Sequence, residues 1–122
     1  MKALIVDDSI SMRKVLVAVL SKIGITEVGQ AADGEEAVAA CDTDDYDVVL
    51  MDWNMPKMLG IDALKQIRAD GKSVPIIMVT TETEKGRVLE ALKAGANNYI
   101  IKPFKPDAIQ LKIEETLAKA SA

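Results

Sequence analysis

The chain predicts an α/β fold in which five strands alternate with five helices, giving a parallel sheet covered on both faces. Three observations carry this. Short apolar runs alternate along the whole length with segments whose apolar residues recur at helical spacing. The inner runs, Ala3-Leu4-Ile5-Val6, Val48-Val49-Leu50-Met51 and Ile76-Ile77-Met78-Val79, are continuously apolar, as strands buried on both faces must be. The length, 122 residues, suits one domain spanning 1–122, enough to bury roughly two thirds of the surface an unfolded chain exposes.

The elements follow in order. After the first strand, Met12, Val15, Leu16, Val19, Leu20 and Ile23 recur at helical spacing, and Gly24 suits the left-handed position past a helix end. A strand from Glu27 to Ala31 has the mixed polarity of a sheet edge. Ala37, Val38 and Cys41 mark the second helix, and an acidic loop of Asp42, Asp44, Asp45 and Asp47 leads to the third strand. The third helix runs from about Ile61 to Asp70 with Ala63, Leu64 and Ile67 inward and Gly71 as its stop. Thr81-Glu82-Thr83-Glu84 has capping-box spacing for the fourth helix, whose Val88, Leu89 and Leu92 should face the core before Gly95 ends it. Tyr99-Ile100-Ile101 is the fifth strand, and Pro106 opens a last helix carrying Ile109, Ile113 and Leu117.

Composition narrows the function. There are 19 acids against 15 bases, net charge -4, with the bases scattered, which disfavours a phosphate backbone and hence nucleic acid as a ligand. The longest apolar stretch, Val15 to Leu20, falls far short of the roughly 20 residues of a membrane span, and no signal peptide is visible. A single cysteine, Cys41, cannot form an internal disulfide, which fits a reducing cytoplasm, and its expected role is a small apolar residue on a helix. Histidine is absent, so the usual general base and soft-metal ligand are missing. Carboxylate, hydroxyl and amine remain, and carboxylates alone favour a hard cation such as Mg²⁺.

These groups lie at strand ends. The first strand delivers Asp7 and Asp8, the third Asp52, the fourth Thr80 and Thr81, the fifth Lys102 followed by Pro103. In an open parallel sheet, ligands bind outside the carboxyl ends of the strands. Two carboxylates about 4 Å apart repel by roughly 4 kcal/mol at an effective dielectric of about 20, a cost that a divalent cation removes. The acids therefore read as a metal site that draws in a phosphoryl group, with Asp52 as nucleophile, Lys102 neutralising phosphate charge and the Thr80 hydroxyl bonding one of its oxygens. Each piece has a plainer reading: Asp7 and Asp8 as helix caps, Thr80 bonded to backbone, Lys102 in solvent, Tyr99 covering an edge strand. The joint arrangement at four strand ends favours the site.

Val6-Asp7-Asp8-Ser9, Met51-Asp52-Trp53-Asn54-Met55-Pro56 with Gly60, Val79-Thr80-Thr81, and Ala94-Gly95-Ala96 leading to Lys102-Pro103-Phe104 resemble the receiver domain of two-component response regulators, in particular its single-domain chemotaxis (CheY-like) branch. The resemblance implies a doubly wound, flavodoxin-like sheet with strand order 2-1-3-4-5. It implies phosphoryl transfer from a histidine kinase to Asp52, then self-catalysed hydrolysis. Asp8, Asp52 and the backbone carbonyl of Asn54 would hold Mg²⁺, with Asp7 acting through water. Thr80 and Tyr99 would form the switch pair, Tyr99 turning inward and reshaping the surface of the fourth helix, fifth strand and fifth helix. The Lys102-Pro103 bond is expected to be cis on the same ground. Thr81 departs from the small residue many relatives carry there, which bears on phosphate access.

Two rival classes share parts of this pattern. A flavodoxin-like electron carrier would want a hydroxyl- and glycine-rich loop after the first strand, where this chain has two acids, and aromatics at 3% leave little to stack a flavin. An aspartate-nucleophile phosphohydrolase usually separates its two acids on the first strand by one residue, whereas Asp7 and Asp8 are adjacent. The expectation is a monomeric, stand-alone phosphorylation switch with a kinase upstream and a protein target, such as a flagellar motor switch, downstream.

Overall fold

The computed structural model describes residues 1–120. Its elements are β1 (Lys2–Val6), α1 (Ile10–Lys22), β2 (Glu27–Ala31), α2 (Gly34–Thr43), β3 (Val48–Met51), α3 (Gly60–Ala69), β4 (Ile76–Thr80), α4 (Lys85–Ala94), β5 (Asn98–Ile101) and α5 (Pro106–Ala120). The strands form one parallel sheet in the order β2-β1-β3-β4-β5, as the resemblance implied.

Successive side chains on a strand point to opposite faces, and the core divides accordingly. Leu4, Val6, Val49, Met51, Ile76 and Met78 pack with Ala37 of α2 and Leu64 and Ile67 of α3. Ala3, Ile5, Val48, Leu50, Ile77 and Val79 pack on the other side with Leu16 and Leu20 of α1 and Ile109 and Ile113 of α5. Central β1, β3 and β4 are therefore buried on both faces, whereas edge strand β2 fully buries Ala31 alone. Cys41 is buried on α2, and that burial pushes its thiol pKa up.

The three glycines read as helix stops, Gly24, Gly71 and Gly95, have φ of +86°, +83° and +111°. Gly95 is constrained twice, because a Cβ there would also meet the Arg68 Nε at 2.8 Å. Arg68 needs that room: its guanidinium donates to the Gly95 and Val74 carbonyls at 2.8 Å each, tying the end of α3 to the starts of β4 and β5.

Three expectations are corrected. Val15 is exposed, because α1 turns Leu16, Val19 and Leu20 inward. Leu89 and Leu92 are 45% and 43% exposed, and α4 instead seats Ala91 fully and Val88 partly. The capping box is not formed: α4 begins three residues later than that spacing implied, with Glu84 at the N-cap and no side-chain cap bond.

Candidate functional site

Register sets the site. Val6 and Met51 are partners, so Asp7 and Asp52 stand side by side just beyond β1 and β3. The Asp52 N–H donates to the Val6 carbonyl at 2.9 Å and the Asp7 N–H to Ala31 at 3.1 Å, so both acids leave the sheet still held by ladder-type bonds. Thr80 ends β4 opposite Ile101, and the Lys102 N–H donates to the Thr80 carbonyl at 2.9 Å. β5 lies three strands from β1, roughly 14 Å at the usual ~4.8 Å spacing, so a long side chain is needed to return positive charge to the acids. Lys102 does so: its Nζ is 2.7 Å from Asp7 Oδ2 and 3.3 Å from Asp52 Oδ2. The Lys102-Pro103 peptide is cis.

Asp7 and Asp52 are 1% and 8% exposed, and Asp8 lies out in solvent. One carboxylate oxygen from each of the three falls within 4.8 Å of the others. Backbone donors hold both buried acids: Asp7 Oδ1 accepts from the Ser9 N–H at 2.9 Å and Asp52 Oδ1 from the Trp53 N–H at 2.7 Å. Ser9, not an aspartate, caps α1, its Oγ accepting from the Met12 N–H at 3.2 Å. The reading of Asp7 and Asp8 as mere helix caps is thereby set aside.

The electrostatic expectation shifts in one respect. The sequence leaves the cost of crowding these acids to a divalent cation, yet Lys102 already offsets it for Asp7 and Asp52. Asp8 has no ion pair among the described residues, so its charge is the one left for a cation. The donor set is oxygen only, which fits a hard metal ion. Asn54 lies exposed two residues past Asp52. The loop that carries it is closed by Gly60, whose N–H donates to the Trp53 carbonyl at 2.8 Å. A Cβ on Gly60 would overlap the Asp52 carbonyl, so only glycine lets α3 start this close to the acid.

Thr80 and Tyr99 meet at one residue. The fully buried Thr80 accepts at Oγ1 from the Glu82 N–H at 3.3 Å, and the Tyr99 hydroxyl donates to the Glu82 carbonyl at 2.8 Å. Both polar groups of the Glu82 backbone are thus engaged. Tyr99 is buried inward, and its pKa is pushed up to about 12, first by burial and then by the negative charges of Glu82 and Asp52. Thr81, the departure from the family pattern, is exposed.

Three contributors escaped the sequence reading. The Trp53 amide fixes Asp52, Glu82 joins Thr80 to Tyr99, and Arg13 of α1 donates from its guanidinium to the Asp7 carbonyl at 2.6 Å and to Gln30 Oε1 at 2.9 Å. Only Arg13 left a signal, a basic residue near a helix N-terminus, where acids are favoured. A cavity of about 610 Å³ opens at the opposite end of the sheet between Tyr46, Lys72 and Pro75 and includes none of these residues.

Fold and site together define a doubly wound α/β protein with a carboxylate and ammonium cluster at the C-terminal ends of its strands. The chain belongs to the response regulator receiver domain family, which matches residues 3–114. It is 48% identical over 120 residues to chemotaxis protein CheY1 of Helicobacter pylori, covering 96% of this chain and 97% of that protein. The structure of Vibrio cholerae chemotaxis protein CheY4 superposes with a TM-score of 0.86 at 38% identity, covering 94% of this chain and 97% of that one. The receiver domain of Francisella response regulator 1452 superposes at 0.90 with 29% identity, covering 98% of each. These likenesses place the chain in two-component signalling of the CheY chemotaxis type. Among the described residues no helix is long and apolar enough to cross a membrane.

Proposed function

We propose that residues 1–122 act as one cytoplasmic receiver that takes a phosphoryl group onto Asp52 from the phosphohistidine of a kinase, hydrolyses it, and signals to a protein target such as a flagellar motor switch. The observation that carries this is the Asp52 carboxylate, nearly buried, its Oδ1 fixed by the Trp53 N–H and its Oδ2 facing the Lys102 ammonium beside two further acids.

Asp52 attacks phosphorus through a carboxylate oxygen, the P–N bond to the donor imidazole breaks, and the imidazole leaves with a proton. In hydrolysis, water forms the new P–O bond and the Asp52 carboxylate leaves. Asp8, Asp52 and the Asn54 carbonyl would hold Mg²⁺, with Asp7 acting through water. When bound, the cation offsets the charge of acids and incoming phosphate. Lys102 already spans Asp7 and Asp52, so a phosphoryl on Asp52 would find the ammonium in place to pair with it. The Thr80 hydroxyl accepts from Glu82 and keeps its own proton to donate to a phosphate oxygen.

Moving a switch from about 1% to about 99% active takes roughly 5.5 kcal/mol of preferential stabilisation. A Thr80 hydrogen bond supplies only ~1 kcal/mol of that. The Lys102 pairing, the Tyr99 contact and target binding share the rest. Leu92, Ile101 and Leu111 expose apolar surface on α4, β5 and α5, the face the target would cover. Acetyl phosphate with Mg²⁺ should add one labile phosphoryl group by mass spectrometry, and Asp52→Ala should lose it. Labelling that persists in that variant places the nucleophile elsewhere. Thr80→Ala should still be labelled yet lose most of the gain in target affinity.

A further inference from the structure

Beside the Thr80 and Tyr99 contacts, a charged side chain of α4 reaches toward the acid site. Arg87, in the first turn of α4, lays its guanidinium over the Trp53 ring, 5.5 Å from the centroid. Its Nε lies 3.6 Å from Glu82 Oε1 and 3.8 Å from Glu84 Oε2. Trp53 is the residue whose peptide N–H holds Asp52 Oδ1, and Glu82 is the residue clasped by Thr80 and Tyr99. One guanidinium therefore touches both the residue after Asp52 and the residue clasped by Thr80 and Tyr99.

The indole of Trp53 is 1% exposed, and its Nε1 has no hydrogen-bond partner among the described residues. Packing and the cation on its face, rather than a hydrogen bond, keep the ring where it is. A cation over an indole face contributes favourably, more so as the site is desolvated. A planar guanidinium can stack on the ring while its edge N–H meets a carboxylate; an ammonium cannot do both.

We infer that Arg87 is a positioning residue, tying the first turn of α4 to the Trp53 ring so that changes around Asp52 reach α4 by a second route beside Thr80 and Tyr99. The inference rests on the proposed phosphorylation of Asp52. Displacement of the Trp53 amide when Asp52 carries a phosphoryl group would shift the ring, and the stacked guanidinium would carry that shift to α4 and to the Glu82 side chain.

The test compares wild type, Arg87→Ala and Arg87→Lys, each with and without Mg²⁺ and beryllium fluoride, a stable stand-in for the acyl phosphate. The readouts are hydrogen exchange of the α4 amides, Trp53 emission, and acetyl phosphate labelling of Asp52. Arg87 is half exposed and touches no phosphoryl-binding atom, so Arg87→Ala should fold and be labelled as wild type is. Its α4 exchange response should fall several-fold and its Trp53 response should change, with Arg87→Lys intermediate. A full α4 response in labelled Arg87→Ala overturns this inference alone. Wild type that takes no label overturns the reading of Asp52 as phosphoacceptor and the inference with it.

Discussion

Helices α3 and α4 are each ten residues long and contribute to the same side of the sheet, yet they are held differently. Among the described residues α3 buries Gly60, Ile61, Ala63, Leu64 and Ile67, whereas α4 buries Ala91 alone. Buried apolar area stabilises by about 25 cal/mol per Å², so α3 is fixed by a broad core contact and α4 by little more than Ala91 and the partly buried Val88. The fixed helix begins at Gly60, against the Asp52 carbonyl. The lightly held helix follows the loop gripped by Thr80 and Tyr99. A segment with few buried contacts opens at low free-energy cost, which suits a responsive element, while a phosphoacceptor needs a rigid mount.

The largest expected effect tests that contrast directly. Leu64→Ala in α3 removes a fully buried side chain and should cost about 2–5 kcal/mol. Leu92→Ala in α4 should cost about 0.5–1 kcal/mol, because its side chain is already half in water. Urea denaturation midpoints at unchanged slope measure both. Equal losses would mean that α4 is as firmly seated as α3 and would remove the basis for calling it responsive.

Next in size is Lys102→Ala. It strips the cation from two buried acids, and breaking a buried pair costs roughly 3–5 kcal/mol; the lysine side chain's 12% exposure puts the loss at the low end. Mg²⁺ should recover part of it. Asp8→Asn should do the opposite, raising the stability of the metal-free protein slightly while weakening its Mg²⁺ response. A Lys102→Ala protein as stable as wild type without Mg²⁺ would show that the mount at Asp52 does not depend on this pairing.

The contrast between α3 and α4 also marks how far the residues could be read unaided. β1, β3 and β4 were legible because strands buried on both faces must be apolar throughout, which makes an acid at their ends conspicuous. The order β2-β1-β3-β4-β5 came from the family resemblance. Asp7, Asp8, Asp52, Thr80 and Lys102 fell at one rim as expected, since parallel register aligns equivalent strand ends. The α4 reading failed because the spacing of Val88, Leu89 and Leu92 identifies a helix without saying how much core lies beneath it. At this flank of the sheet Ala91, unremarkable in sequence, makes the close contact. The bridge from Lys102 to Asp7 and the stacking of Arg87 on Trp53 depend on where distant loops bring side chains, which local periodicity does not encode.

A smaller effect concerns the grip on the loop before α4. Tyr99→Phe deletes the bond to the Glu82 carbonyl and should cost about 1 kcal/mol. Its pH dependence follows from the raised pKa. Tyr99 ionises near its ordinary value of 10.0 in the unfolded chain but only at about 12 when folded, so the folded state holds the proton more tightly. Its contribution is full below pH 10.0, declines as pH rises toward about 12, and is gone above that. Tyr99→Phe should flatten that alkaline decline, leaving the parts due to Tyr46, raised by burial and by Asp44, to Cys41, raised by burial, and to Lys2, raised by its bond to Asp44. Denaturation midpoints across this range, with tyrosinate absorbance followed in parallel, check it. An unchanged alkaline slope in the variant would mean that Tyr99 is not held inward.

The smallest effect lies between the two helices. Lys65 of α3 and Glu90 of α4 form an ion pair at 3.1 Å, with side chains 52% and 45% exposed. Exposed pairs contribute about 0.2–1 kcal/mol at most, since water screens the charges and both long side chains lose freedom. A double-mutant cycle with Lys65→Ala and Glu90→Ala should therefore give a coupling of about 0.5 kcal/mol or less, fading further at high salt. Were the coupling well above 1 kcal/mol, α4 would be fastened to α3 by charge rather than resting on Ala91 and Val88, a link the burial pattern does not reveal. A weak coupling leaves α4 bound chiefly through Ala91, Glu82 and Arg87, and those are contacts that the state of Asp52 can reach.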